Sequence, residues 1–236
     1  MAEPVVFIPG LMADVRLFLP QLVALGSKVA MHVCIPNDGD TVEVFSQTLL
    51  DHAPPKFALV GHGLGGSVAL DVLRRAAERV TRVVLIATDP LAEQPAAAAD
   101  REARIVAARS GRLAQAMREE MPPQSLADTE WRDEVLALVQ DMAFGLGEGV
   151  FIRQTRALQR RPDMQKTMRR IKVPALIVAG EADTLVPLRR QEFTADLMPF
   201  GKLLVIEGAG HLPTLEQPNV VSDAIEAFLN GPVLLR

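Results

Sequence analysis

The sequence predicts an α/β fold: a mostly parallel sheet of about six strands flanked by helices, with a helical cap inserted into it. Three observations predict it. Short aliphatic runs recur along the chain, and each ends in Gly, Pro, Asp or His. Longer amphipathic segments separate them, and strand–helix–strand alternation produces a parallel sheet covered on both faces. One separation, residues 90–173, far exceeds a normal crossover and requires a folded insertion. Residues 1–89 and 174–236 therefore form the expected core, and 90–173 the cap.

The runs, taken in order, are VVFIPG (5–10), MHVCIP (31–36), FALVGHG (57–63), RVVLIATD (82–89), PALIVAGEAD (174–183) and KLLVIEGAGH (202–211). Each is too short for a helix and rich in residues that suit a buried pleated surface. Crossover helices are expected around 16–25, 41–52, 64–78, 186–198 and 219–229, with right-handed connections. Inside the insertion, 110–121, 125–145 and 148–161 have helical periodicity, broken at Pro122-Pro123 and at Arg161-Pro162-Asp163. The four-alanine run at 96–99 reads as a loop or a helix start. No internal repeat is present.

Composition narrows the function classes. The net charge of −4 provides no basic field for nucleic acid or anionic lipid. There is no tyrosine and a single tryptophan, Trp131, so surfaces for base stacking are sparse. Neither a nucleic-acid partner nor a membrane partner is expected. No uninterrupted apolar stretch is long enough to span a bilayer. Cys34 is the only cysteine, which favours a reducing compartment, and no signal-like segment precedes the first strand. A cytoplasmic location is the expectation. No metal site and no cofactor are expected.

The stretch LVGHGLGG (59–66) has two readings. Gly61-x-Gly63-x-x-Gly66 between a strand and a helix matches a dinucleotide-binding turn, with Asp89 near the place of a ribose-binding acid. The same residues also match a strand–turn–helix that exposes a nucleophile, Gly-x-Ser-x-Gly, with glycine at the central position. The second reading accounts for more of the chain. It requires an acid after a later strand and a histidine after the last strand, and Asp183 in GEADTLVP and His211 in GAGHLPTLEQP stand there. It also requires an early strand followed by a glycine loop, which PGLMADVRLF (9–18) provides.

These motifs, in this order and over nearly the whole chain, resemble the α/β-hydrolase superfamily, in particular its short bacterial members with a helical cap. The resemblance implies a Ser-His-Asp site that hydrolyses carboxylic esters or related acyl compounds without a cofactor. By position, His211 is the base and Asp183 its orienting acid, with Asp89 as the alternative. The backbone N–H groups of Leu64 and Leu11 are the oxyanion donors. Two departures stand out. Pro9-Gly10 replaces a common His-Gly, which matters little because the donor is a backbone amide. Gly63 occupies the nucleophile position and has no side-chain atom to attack with.

Glycine suits that turn, because its central residue is held at positive φ, where other residues are strained. None of the neighbouring candidates replaces the serine. Ser67 lies one helical turn beyond and is expected to point along the helix. Cys34 is expected inside a strand, and His62 stands beside the position in relatives with an intact serine. The protein is therefore expected to be inactive or weakly active as written, whether Gly63 is natural or engineered. The alternatives are a ligand-binding protein without turnover, or a His-Asp reaction with no covalent intermediate. A pocket for a small apolar or acyl-containing molecule is expected between sheet and cap, lined by Met12, Phe18, His62, Phe144, Phe151 and Leu185. Arg153, Arg156, Arg160 and Arg161 recur on the last cap helix and read as an exposed charged face, with contact to a substrate carboxylate as the alternative.

Overall fold

The computed structural model describes residues 3–231. Six strands form one sheet: β1 (Val5–Ile8), β2 (Met31–Val33), β3 (Phe57–His62), β4 (Val80–Ile86), β5 (Ala175–Gly180) and β6 (Gly201–Ile206). The order is β2-β1-β3-β4-β5-β6 and every pairing is parallel. The chain leaves β1 toward one edge and returns on the other side of it at β3. The carboxyl ends of β1 and β3 thus flank the switch point where parallel sheets open a crevice. The loop at Gly10 and the turn at Gly63 lie at those two ends.

Side-chain alternation divides the core between the two faces. Val5, Phe7, Ala58, Val60, Val84, Ile86 and Val178 belong to one buried cluster. Val6, Ile8, Phe57, Leu59, Val83, Leu85 and Ile177 belong to the other. The second cluster packs on α2 (Val42–His52) and α3 (Leu64–Ala76) through Phe45, Leu49, Val68 and Val72. Thr41 caps α2 by accepting from Val44 N–H. The first cluster packs on α1 (Leu19–Leu25) and α11 (Pro218–Leu229), with Leu25, Val221 and Ile225 inside.

Between β4 and β5 the chain forms α4 (Pro95–Arg109), α5 (Leu113–Glu120), α6 (Arg132–Leu146), α7 (Glu148–Gln159) and the short α8 (Gln165–Met168). The alanine run is the first turn of α4, a helix whose full length the sequence pattern did not reveal. The segment read as helical from 125 begins at Arg132, after a 3-10 turn (Pro123–Ser125) and a loop. The run MHVCIP pairs only over Met31–Val33, so Cys34 lies just past the strand, where its N–H donates to Phe7 O. After β5 come α9 (Leu188–Leu197) and, beyond β6, the single turn α10 (Pro213–Glu216). No single described helix is long and apolar enough to cross a membrane.

Candidate active site

The turn after β3 is built by close backbone packing. A Cβ on Gly65 would lie 2.0 Å from Ile8 O, and one on Gly66 would lie 1.9 Å from Thr88 Oγ1. Those glycines let α3 approach the sheet, so the fingerprint is a packing requirement that needs no pyrophosphate. Gly63 differs from them. A Cβ there would meet nothing nearer than 4.0 Å, so space does not demand glycine. Its backbone does favour one, with φ 51° and ψ −112°. Its N–H donates to Ile86 O at 2.9 Å, and its carbonyl accepts from Ser67 N–H.

His211 faces this turn. Its Nδ1 lies 2.9 Å from Asp183 Oδ2, which fixes the donated proton on Nδ1. Its Nε2 is 4.0 Å from the position of a Cβ on Gly63. Asp183 is 4% exposed and uses both oxygens. Oδ1 accepts from Leu185 N–H at 2.8 Å and Val186 N–H at 3.0 Å, while Oδ2 takes the imidazole. Asp183 thus closes the turn that follows it and orients His211 at the same time. Asp89, the alternative acid, lies instead 3.5 Å from Arg161 and 3.8 Å from Arg190.

The neighbouring His62 is buried and plays another part. Its Nε2 donates to His211 O at 2.8 Å, and the two rings meet edge-to-face at 5.1 Å. Its Nδ1 has no hydrogen-bond partner among the described residues. Burial, with His211 nearby, pushes its pKa down to about 3, so it is neutral.

The loop after β1 carries Leu11 and Met12. Met12 has a left-handed backbone (φ 53°), rare for a non-glycine residue. Its N–H donates to Gln154 Oε1 at 2.7 Å, and Gln154 Nε2 donates to Pro36 O. The N–H groups of Leu11 and Leu64 have no acceptor among the described residues. Both residues line the same cavity as Gly63 and His211.

A match to the model described as "Alpha/beta hydrolase family" covers residues 5–224. The chain belongs to the alpha/beta hydrolase family. Over 240 residues it is 29% identical to a pimeloyl-[acyl-carrier protein] methyl ester esterase of Aromatoleum aromaticum, covering 94% of this chain and 91% of the relative. Among solved structures it superposes on a thermophilic esterase from Thermogutta terrifontis with a TM-score of 0.87, at 25% identity, covering 96% of this chain and 89% of that one. An enol-lactonase from Burkholderia xenovorans shares the fold, with a TM-score of 0.87 at 21% identity and coverage of 98% and 92%.

In this family member the cavity has a volume of about 270 Å³. It lies between the β1 and β3 loops on one side and α4, α5 and α6 on the other. Met12, His62 and Leu185 line it, as expected from sequence. Phe18, Phe144 and Phe151 do not. Phe18 turns into the core, its ring 5.1 Å from that of Phe7, and Phe151 is fully buried away from the cavity. Phe144 points outward and is 59% exposed. Ser67 is also among the residues that line the cavity.

Of the four arginines in and just after α7, three are outward. Arg153 bonds Asn37 O, Arg156 pairs with Glu102, and Arg160 pairs with Asp40. Arg161 turns inward to Glu93, because its position follows the helix end.

Three supporting residues carried no sequence signal strong enough to single them out. Gln154 is one. Glu216, five residues after His211, accepts from the N–H groups of Ala127, Gly210 and Leu212. Ser125 O accepts from His211 N–H at 2.8 Å, joining the insertion to the histidine loop. Among the described residues, no group of three or more His, Cys, Asp and Glu side chains is placed to share a metal ion.

Proposed function

We propose that this chain holds a carboxylic ester of a small acyl group at the His211–Asp183 dyad, and that Gly63 removes the covalent route from an otherwise assembled hydrolase site. The observation that carries this reading is the position of His211 Nε2, 4.0 Å from where a side chain on Gly63 would start, with Nδ1 committed to Asp183. A seryl oxygen at 63 would reach the imidazole and lose its proton to it on attacking the ester carbonyl. The uncommitted N–H groups of Leu11 and Leu64 supply donors for the oxyanion. The names of relatives support ester chemistry: one acts on a methyl ester of an acyl-carrier-protein-linked group, another is an esterase. Residues 90–173 serve as a cap over the pocket in this reading.

With glycine at 63, a water molecule is the available nucleophile. Its oxygen attacks the carbonyl carbon while one proton passes to His211 Nε2. The tetrahedral oxyanion collapses, the C–O bond to the alcohol breaks, and His211 returns the proton to the departing alkoxide. Acid and alcohol result, with no acyl-enzyme. This route lacks a positioned nucleophile and is slow. Ligand binding without measurable turnover is the second reading, favoured by the same lack of a side chain at residue 63.

The test compares the protein with its Gly63→Ser variant on methyl and ethyl esters of short to medium acyl groups. The variant is expected to gain at least about 10³-fold in kcat, a conservative floor, since loss of the nucleophile from a serine protease costs about 10⁶-fold. Silence of a folded variant on every ester would overturn the hydrolase reading.

A further inference from the structure

The cavity has a second chemical end that the dyad does not use. Arg101 and Arg104 on α4, Glu120 on α5, Glu93 in the loop after β4, and Arg161 after α7 form one inward-facing ionic network. All five line the cavity that contains Gly63 and His211. The side chains of Arg101, Glu93 and Arg161 are 14%, 7% and 9% exposed. Charges so withdrawn from water rarely repay their desolvation in stability, so a network of this kind calls for another use.

Its unused bonding capacity lies mostly with donors, Glu93 Oε1 being the one acceptor in it without a donor among the described residues. Glu120 has both oxygens engaged, by Arg101 and Arg104, and Glu93 Oε2 accepts from both Arg101 and Arg161. On the donor side, Arg101 Nη2 and both Nε and Nη2 of Arg104 have no acceptor among the described residues. Three guanidiniums face two glutamates. Asp89 is shared between Arg161 and Arg190, and Glu119, at the cavity margin, is exposed and bonds Gln115. The inner cluster therefore carries one uncompensated positive charge and spare N–H donors in the planar geometry that matches a carboxylate. The same cavity has apolar lining as well, including Met117, Met142 and Leu158.

We infer that Arg101 and Arg104 form a carboxylate subsite, and that the ligand is an acyl ester whose far end bears a carboxylate, such as the half-ester of a dicarboxylic acid. The inference rests on the ester reading of the dyad. The ester end lies at His211 and the anionic end at α4, with the methylene chain along the methionines. One carboxylate balances the network; a doubly charged group would not.

Because Gly63 suppresses turnover, binding is measurable on the protein as it stands. Calorimetric titration would compare monomethyl esters of the dicarboxylic acids from succinate to suberate with the dimethyl esters of the same acids. At one chain length the half-ester is expected to bind about 10- to 100-fold tighter than its dimethyl counterpart, the worth of a charge-assisted bidentate contact. Arg104→Gln, at the more exposed of the two arginines, is expected to abolish that preference and leave dimethyl-ester affinity within about 2-fold.

Equal affinity for half-ester and dimethyl ester at every length would overturn the subsite. So would a preference that survives Arg104→Gln, or a variant that loses both ligands alike. Gly63→Ser kinetics on neutral methyl esters separates the two readings. Turnover of those esters without any half-ester preference sinks the subsite and leaves the hydrolase site standing. Silence on all esters beside selective half-ester binding does the reverse.

Discussion

At the scale of single residues, the turn at 61–66 shows that identical glycines answer different demands. Gly65 and Gly66 are fixed by contact distance, and Gly63 by torsion alone. Gly63→Ser therefore needs no rearrangement of neighbours, only residence at φ 51°. That conformation costs a non-glycine residue about 1–3 kcal/mol. For a domain of this size, the variant is expected to melt about 2–12 °C lower, measurable by thermal denaturation of both proteins. Gly65→Ala, with its Cβ 2.0 Å from Ile8 O, is expected to lose about 3 kcal/mol or more. Equal stability of the Gly63→Ser variant and the protein as written would remove torsional strain as the physical advantage of glycine at this turn. In the proposed function, a serine that supplies the nucleophile and the glycine that relaxes the backbone are thus opposed, as a stability–activity trade-off predicts.

At the scale of elements, the site depends on loops that are held from outside themselves. The β1 loop is tied to α7 by Gln154, a fully buried amide whose oxygen receives Met12 N–H and whose nitrogen reaches Pro36 O. Gln154→Met keeps the length of the side chain and removes both bonds, leaving a buried N–H and a buried C=O unpaired. A loss of about 2–4 kcal/mol is expected from unfolding in urea. In the Gly63→Ser background, kcat should fall with little change in KM, since Met12 adjoins Leu11, the proposed oxyanion donor. A KM effect alone would show that Gln154 shapes binding and not the oxyanion loop. Glu216 acts likewise on the other side. Its carboxylate gathers three backbone N–H groups, two of them flanking His211, so Glu216→Ala in the same background should lower kcat while the helix content stays unchanged. These ties escaped the sequence pattern because an inward Gln on a helix has no periodic signature, and a Glu after the His motif reads as surface charge.

At the scale of the whole molecule, the sheet was legible because its strands are aliphatic runs closed by turn residues, and the position of each run relative to Gly63, Asp183 and His211 followed from chain order. The insertion was legible as helical but not in detail. The start of α4 is alanine after alanine, which favours a helix without showing which face is buried. Phe18, Phe144 and Phe151 lie outside the pocket lining; apolarity in a sequence does not distinguish a pocket from the core or from an outward face. The same limit hid Arg161, whose inward turn depends on where α7 stops.

The charge balance that folding imposes on the buried site has a consequence for the entire chain. His62 is neutral in the folded state, its pKa pushed down to about 3 from the ordinary 6.5 by burial. Between those values the unfolded chain binds a proton that the folded chain refuses. Unfolding is therefore favoured as pH falls, and the stability present above about 6.5 is lost by about 1.4 kcal/mol per pH unit on the way down toward 3. Urea midpoints measured from pH 7 to pH 4 should fall with that slope superimposed on carboxylate effects. His62→Gln keeps a donor for His211 O and cannot take up a proton, so its stability curve should be flatter by that amount across the same range. A variant with an undiminished acid slope would assign the loss to other groups and place His62 in contact with water.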